Sequence, residues 1–358
     1  MKKIIKNILK KLFYPIYFRY RIIIDSLQAN NKVLDEISKK QEVLNTNLNE
    51  LTVMFNKYSY IFNLSNYEGI NFSNRENIIK DMIKKDIFVP FVPIEHFYSP
   101  FPTINDINTY DYSFFPSEIQ GIDLNTEKQL NLLKAFEQFY SELPFEDEKT
   151  SNMRFYYING SYSYSDAIWL YCMIRYLTPQ KIIEVGSGFS SCVTLDTNEL
   201  FLNNKMQCTF IEPYPNLLKS LIKDNENIKL YESNLQNIPI SIFTELNEND
   251  ILFIDSTHVS KFNGDVNYIF HEILPILKKG VYIHFHDIFY PFEYPKGWLL
   301  EGRAWNEQYI LRAFLEFNKD FEIALFNTYL QKAYKEELKK SFPLVFKNTG
   351  GSIWIKRI

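Results

Sequence analysis

From Ile182 onward the apolar positions fall into short runs, separated by turn residues and by longer stretches with apolar residues at three- and four-residue spacing. The short runs read as strands and the longer stretches as helices. Strands are expected at Ile182–Val185, Gln207–Glu212, Lys229–Tyr231, Asp250–Asp255, Gly280–His286, Phe321–Phe326 and Ser352–Ile358. Helices are expected after Ser190, at Pro215–Lys223, at Asp265–Leu277 and at Glu307–Phe317. Upstream, Asn125 and Thr126 can open a helix running to about Phe145, and Ser163 or Ser165 can cap one through Tyr176 that Pro179 ends. The second of these is apolar nearly all round, which predicts burial against a sheet. Strands alternating with helices imply a mostly parallel sheet with ligands at the carboxyl ends of its strands.

The first 120 residues follow other patterns. In residues 1–21, Ile4, Ile5, Ile8, Leu9, Leu12 and Phe13 fall on one helical face and Lys2, Lys3, Lys6, Lys10 and Lys11 mostly on the other, before Pro15. This is a basic amphipathic helix, suited either to peripheral membrane contact or to packing on protein. In residues 22–58, Leu27, Leu34, Leu48 and Phe55 form one heptad series, with Gln41 in its gap, and Ile37, Leu44 and Leu51 form a second, preceded by Asn30. That seam predicts a coiled coil and a homo-oligomer. Residues 59–120 lack long periodicity and are rich in Pro and aromatics, as in IFVPFVPIEHFYSPFPTIND. They read as a segment wrapped over the main domain, 121–358, with His96 in a structural role.

Composition narrows the picture modestly. A chain of 358 residues with 46% hydrophobic positions can bury a large core. A net charge of −4 gives no general attraction to nucleic acid, so no nucleic-acid partner is expected. Cys172, Cys192 and Cys208 form no C-x-x-C pair, which fits a reducing, cytoplasmic location, with residues 1–21 able to hold the chain at the inner face of the membrane. No run of about 18 apolar residues suggests a spanning helix.

The chemistry concentrates in Lys181–Asp196, KIIEVGSGFSSCVTLD: a strand, a turn with Gly186 and Gly188, then a helix. Such a turn lets a ligand approach main-chain N–H groups. Glu212 lies 24 positions after Gly188 at the end of the next strand, where its carboxylate can accept both hydroxyls of a ribose. Glu232-Ser233-Asn234-Leu235, closing the third strand, can reach an adenine edge. Glu184, Glu212, Asp255 and Asp287 all lie in or at the ends of strands.

E-V-G-S-G-x-S-S, I-E-P and D-I-L-F-I-D together resemble class I S-adenosylmethionine-dependent methyltransferases. Glu184 stands two before the first glycine and Ser190 stands where a dinucleotide fold prefers a third glycine, and the sixth strand, a connection and a seventh strand after Gly350-Gly351 look like the reversed C-terminal hairpin of that fold. The runs Y-S-Y-S-D-A, D-S-T-H-V and G-V-Y-I-H-F-H-D-I-F look like the branch found with bacterial surface-polysaccharide genes. The resemblance covers about residues 95–358. It implies a Rossmann-like seven-stranded mostly parallel sheet, with the coiled coil in front of it. It also implies S-adenosylmethionine as cofactor, with Glu184, Gly186, Ser187 and Gly188 holding the methionine end and ribose. Glu212 would bind the ribose hydroxyls and Asp255 would lie under the sulfonium side, with Tyr164 and Asp166 closing the site.

The expected reaction is O-methylation of a sugar or glycan acceptor. His286 and Asp287, after the fifth strand, are placed for proton removal, with His258 as a second candidate base and His284 as a core residue. A divalent metal is the rival explanation, since Asp255, His258, His286 and Asp287 are suitable ligands if they converge. Phe289–Asn306 reads as an aromatic lid in which Tyr290, Glu293, Trp298, Arg303 and Trp305 can stack on and bond a sugar. Two other functions fit the same pattern: an NAD-type oxidoreductase, and a non-catalytic oligomeric scaffold that keeps the fold.

Overall fold

The computed structural model describes residues 96–358 except Asn225, together with residues 84, 91 and 92. The expected amphipathic helix at 1–21, the coiled coil at 22–58 and most of the segment 59–120 lie outside the described residues. The chain divides into two units, Met1–Tyr98 and Ser99–Ile358. The second unit carries all the elements below.

Its helices are α1 (Ile104–Thr109), α2 (Thr126–Tyr140), α3 (Tyr164–Leu177), α4 (Phe189–Phe201), α5 (Asn216–Leu221), α6 (Asp265–Tyr268), α7 (Lys296–Leu300), α8 (Glu307–Leu315), α9 (Asn327–Ala333) and α10 (Lys335–Ser341). Its strands are β1 (Lys181–Val185), β2 (Gln207–Ile211), β3 (Ile228–Tyr231), β4 (Ile251–Ile254), β5 (Tyr282–His286), β6 (Phe321–Phe326) and β7 (Ser352–Arg357). They form one sheet in the order β3-β2-β1-β4-β5-β7-β6. Neighbours from β3 to β5 pair in parallel, while β7 runs antiparallel to both β5 and β6. This is the expected Rossmann-like seven-stranded, mostly parallel sheet with a reversed final strand. Among the described residues, no helix is long and apolar enough to cross a membrane.

The strands form where they do because both faces of the sheet are covered, so the runs are apolar throughout. All four residues of β4 are buried. Its start is fixed by Asp250, whose carboxylate accepts the amides of Gln180, Lys181 and Asn247 at 2.8–2.9 Å. Helix α3, apolar nearly all round, is buried along nearly its whole length, with Trp169 packed against Phe136 and Phe342.

The elements differ in detail from expectation. Helix α2 stops at Tyr140, short of Phe145, because Pro144 disfavours helical backbone at Leu143. The helix expected over Asp265–Leu277 keeps its span but changes type, passing from α6 through a π turn at Ile269–Ile273 to a 3-10 turn at Leu274–Ile276. Pro275 has no N–H to donate to the preceding turn. Ser163 precedes α3 without capping it; its hydroxyl donates to the Tyr157 carbonyl instead.

Ahead of the sheet, α1 is closed by a capping box between Thr103 and Asp106. The following residues lie on the domain: Phe115 stacks on Tyr329, and Gly121 accepts the amide of Phe317. The segment around Arg154 is held on α4 by charge. The Arg154 guanidinium meets Asp196 at 2.5 Å and Glu199 at 2.8 Å and also pairs with Glu226, with only 3% of its side chain exposed. Both the Arg154 and Phe155 amides donate to the other Asp196 oxygen. Removing one partner of a buried pair strands the other charge. Arg154→Met should therefore lower unfolding free energy by about 3 kcal/mol. In urea the midpoint should fall with an unchanged slope, and a loss below about 1 kcal/mol would show that Asp196 is satisfied by its amides alone.

Candidate active site

The site is assembled at the carboxyl ends of β1, β4 and β5. Where β1 ends, Gly186 takes φ +79°, and a Cβ placed there would lie 1.7 Å from the carbonyl oxygen of Asp255. Only glycine allows this approach. The turn that follows enters α4, where Ser190 and Ser191 donate to one oxygen of Glu184 at 2.6 and 2.8 Å. The other oxygen of Glu184 and the hydroxyl of Ser187 are buried without partners. Burial pushes the Glu184 carboxyl up to about 8, against the pull of the two serine hydroxyls. A fully buried acid with one open oxygen matches a cationic group presented from the cleft.

Glu212 stands beside this turn. It accepts the Ser187 amide at 3.1 Å with one oxygen and the Tyr214 amide at 2.8 Å with the other. Gly188 donates its amide to Ser191 at 3.1 Å. Further along the edge, Asn234 leads into the 3-10 turn Leu235–Asn237, with Ser233 just before it, and Glu232 pairs on the surface with Lys219. Glu184, Gly186, Ser187, Gly188 and Glu212 are thus gathered in one bonded turn.

Across the cleft lie two histidines among four carboxylates. His258 Nε2 is 3.3 Å from Asp255 and 3.4 Å from Asp287, and its Nδ1 is 2.9 Å from Glu307. His286 Nδ1 is 3.5 Å from Asp255 and 3.4 Å from Asp287, and its Nε2 is 3.5 Å from Asp166. His258 and Asp287 both hold left-handed backbone, φ +59° and +57°, a conformation that costs on the order of 1 kcal/mol for a non-glycine residue and recurs at functional sites.

These contacts set the charges. Burial works against a charged His258, but Asp255 and Glu307 outweigh it and push the ring up to about 10. For His286 burial is again the largest opposing effect, and Asp287 and Asp255 raise it well above the usual imidazole value. Asp255 is drawn well below the carboxylate range: its burial is overcome by His286 and His258. Both candidate bases are therefore drawn towards their charged form by the surrounding carboxylates. His284 differs: wholly buried, stacked on Phe253 at 4.1 Å and without a partner for either nitrogen, it is held neutral as a core residue.

Asp255, His258 and Asp287 each offer a ligand atom, all within 4.8 Å of one another. The mixed oxygen and nitrogen set suits a divalent ion. His286 reaches the same two carboxylates through Nδ1 but lies outside that group of three.

The expected lid residues divide. Trp305 lies 4.4 Å from the His258 ring and Trp298 packs edge-on against Trp305, while Arg303 sits over both tryptophans and pairs with Glu301. Tyr290 requires correction. It is 2% exposed, its hydroxyl donates to the Pro116 carbonyl, and its ring packs on Phe115, Phe326 and Tyr329. The cause is a turn of the chain at residues 290–292, past β5, which buries Ile288, Tyr290, Phe292 and Tyr294 against the domain. Tyr164 is likewise committed elsewhere: its hydroxyl donates to Asp147 and its ring stacks on Tyr157. Glu293 accepts from the Tyr309 hydroxyl at 3.0 Å. His96 accepts the amide of Tyr98 in a turn.

Other participants carry no signal in the sequence. Glu307 was read only as the start of a helix. Tyr162, whose hydroxyl donates to the Asp166 carbonyl, places its ring 5.3 Å from His286. Ser352 and Asn327 donate to the Asp166 carboxylate, as does the Gly351 amide, and so fix the acid beside His286.

Residues 183–288 match the family model described as Methyltransferase domain. Over 166 residues the chain is 34% identical to an uncharacterised protein of Archaeoglobus fulgidus, covering 44% of this chain and 75% of that one. Among solved structures, a methyltransferase of Podospora anserina bound to S-adenosylhomocysteine is 15% identical, covering 68% of this chain and all of its own at a TM-score of 0.37. The O-methyltransferase of Streptomyces achromogenes involved in tomaymycin synthesis is 14% identical, covering 64% of this chain and 89% of its own at a TM-score of 0.33. The chain belongs to one family with the archaeal protein and carries a methyltransferase domain.

The raised Glu184 carboxyl has a consequence for stability. Its folded value of about 8 exceeds the unfolded value of 4.5, so its contribution is complete below pH 4.5 and is lost as pH rises through 8. Between pH 5 and 8.5 the ligand-free chain should lose about 1 kcal/mol or more of unfolding free energy through this group. Glu184→Gln should flatten that part of the profile in urea titrations; an unchanged slope with pH would mean Glu184 is ionised in the folded chain.

Proposed function

We propose that the chain is an S-adenosylmethionine-dependent O-methyltransferase whose acceptor is a hydroxyl of a sugar or glycan intermediate of surface-polysaccharide synthesis. The observation that carries this reading is the open oxygen of Glu184 beside the unpartnered Ser187 hydroxyl. Both lie at a glycine turn that abuts the Asp255–His258–Asp287 cluster. S-adenosylmethionine supplies a methyl group on a sulfonium centre, transferred by in-line displacement to an acceptor oxygen. Glu184 is suited to its ammonium group, Glu212 to its ribose hydroxyls and the Ser233–Asn234 edge to its adenine. Asp255, ionised and adjacent to Gly186, presents a negative charge towards the sulfonium.

The chain's remaining task is to position the acceptor and receive one proton. Trp298, Arg303 and Trp305 supply a stacked apolar and cationic surface that ends on His258, which suits the faces and hydroxyls of a sugar ring. His286, or His258 where no metal is bound, is the proton acceptor in this reading, and the pull of the neighbouring carboxylates towards the charged ring must first be relieved. A divalent ion held by Asp255, His258 and Asp287 would polarise an acceptor hydroxyl. With Asp255 and Asp287 so engaged, two of the three carboxylates beside His286 no longer draw it towards its charged form, Asp166 staying on Nε2, and its Nδ1 can act as base. The metal-dependent form of the reaction is therefore favoured. Residues 22–58 are assigned to self-association and residues 1–21 to peripheral membrane contact at the cytoplasmic face.

Calorimetry tests both parts. S-adenosylmethionine should bind the full chain and NAD should not; the reverse result would make the protein an oxidoreductase, and binding of neither would favour the scaffold reading. Glu212→Ala should weaken S-adenosylmethionine at least tenfold, about 1.4 kcal/mol, and an unaltered affinity removes the ribose assignment. Manganese(II) should bind the wild-type chain and fail to bind Asp255→Asn. Absence of heat with manganese, magnesium and zinc would eliminate the metal.

A further inference from the structure

Glu307 opens α8 and lies 49 residues from His258 in the chain, yet its carboxylate meets His258 Nδ1 at 2.9 Å. It is 1% exposed, and its second oxygen has no partner. A buried carboxylate with an open oxygen is costly, and an apolar side chain would pack there more cheaply. Its position in the first turn of a nine-residue helix offsets only part of that cost.

Holding the His258 loop in place does not account for it. That loop is already tethered by main-chain groups: the amides of Asn306 and Glu307 both donate to the His258 carbonyl, at 3.0 and 3.1 Å. Ser260 also donates its amide to the Asn306 side chain at 2.6 Å. Deleting the Glu307 carboxylate leaves all three bonds intact. What the carboxylate adds is a partner for Nδ1 of the imidazole, opposite Asp255 and Asp287 on Nε2. One face of that ring is covered by Trp305, so packing limits its tilt without distinguishing its two nitrogens. A hydrogen bond at Nδ1 makes that distinction: it keeps a proton on Nδ1 and turns Nε2 towards the gap between Asp255 and Asp287.

We propose that Glu307 is a positioning residue, which orients His258 through Nδ1 so that Nε2 is presented between Asp255 and Asp287. The inference rests on the reading of that cluster as the reaction centre, and it adds the residue that sets the direction of the histidine. With Nδ1 bound to Glu307, a neutral His258 offers its Nε2 lone pair to a point flanked by two carboxylates. That point accepts a proton or a metal cation and rejects an anion. Because Trp305, Asn306 and Glu307 are consecutive, the end of the lid and the orientation of the ring form one mechanical unit.

The test uses the full chain with ring-nitrogen-labelled histidine and compares wild type with Glu307→Gln and Glu307→Leu, His258→Asn serving to assign the signals. The wild type should show a slowly exchanging downfield His258 Nδ1 proton. Glu307→Leu should lose it, and Glu307→Gln should shift it upfield, while S-adenosylhomocysteine affinity in both stays within about twofold of wild type. His258 ring signals identical to wild type in the variants would overturn the proposal. Should Glu307→Leu fail to fold, Glu307→Gln, which keeps the shape and replaces a charged acceptor by a neutral one, decides the question. Failure of the wild-type chain to bind S-adenosylhomocysteine would defeat the functional reading instead, and the ring signals would still decide the role of Glu307.

Discussion

The closeness of Gly186 to the Asp255 carbonyl is the constraint on which the site depends. Two adjacent parallel strands, β1 and β4, end at the same level, and the first turns across the end of the second with no room for a side chain. That single contact puts the turn carrying Glu184 and Ser187 within reach of the loop carrying Asp255 and His258. The β5 loop joins because β5 is the next strand in the parallel register, and its last residue, His286, lies directly opposite Ser352 of the reversed strand β7. Ser352 in turn donates to Asp166 from α3. The reversed strand thus does more than close the sheet: it carries the donor that helps fix the acid beside His286.

The charge pattern follows from this crowding. Asp166, Asp255, Asp287 and Glu307 converge on two imidazoles, and among the described residues the basic groups paired with them are those rings. Each histidine is therefore drawn towards its charged form, and the site in isolation keeps protons where the proposed reaction needs them removed. A buried cluster in this condition stores an electrostatic imbalance that a bound cation relieves. The left-handed backbone at His258 and Asp287 belongs to the same arrangement, since both residues are bent out of the strand direction to face each other.

Much of this was legible in the chain itself. The seven strands follow from apolar runs bounded by turn residues, and the acids at strand ends follow from the same runs. Gly186 could be recognised because a glycine after a buried strand signals close approach. The failures have definite causes. Tyr290 is expected in the lid because it is aromatic and follows a strand end, but the chain turns at residues 290–292 and buries Ile288, Tyr290, Phe292 and Tyr294 against the domain. Tyr164 is expected from the resemblance to close the site with Asp166, yet two residues earlier, at the start of the helix, it points towards Asp147. Glu307 could not be found at all. Nothing local distinguishes it from an ordinary acid in the first turn of a helix, and its partner is defined only when α8 packs beside the β4 loop.

The same electrostatics bear on what the site accepts. On the proposed reading, the methyl donor brings a sulfonium, and a metal would bring two further positive charges, which together answer the excess of carboxylates. An acceptor carrying phosphate or carboxylate at the reacting position would instead meet Asp255 and Asp287 at short range in a poorly solvated cleft, where like charges interact strongly. Arg303 does not alter this balance, because its guanidinium is engaged by Glu301 and by the faces of two tryptophans. On that reading the reacting group is a neutral hydroxyl, which carries no charge for Asp255 and Asp287 to repel.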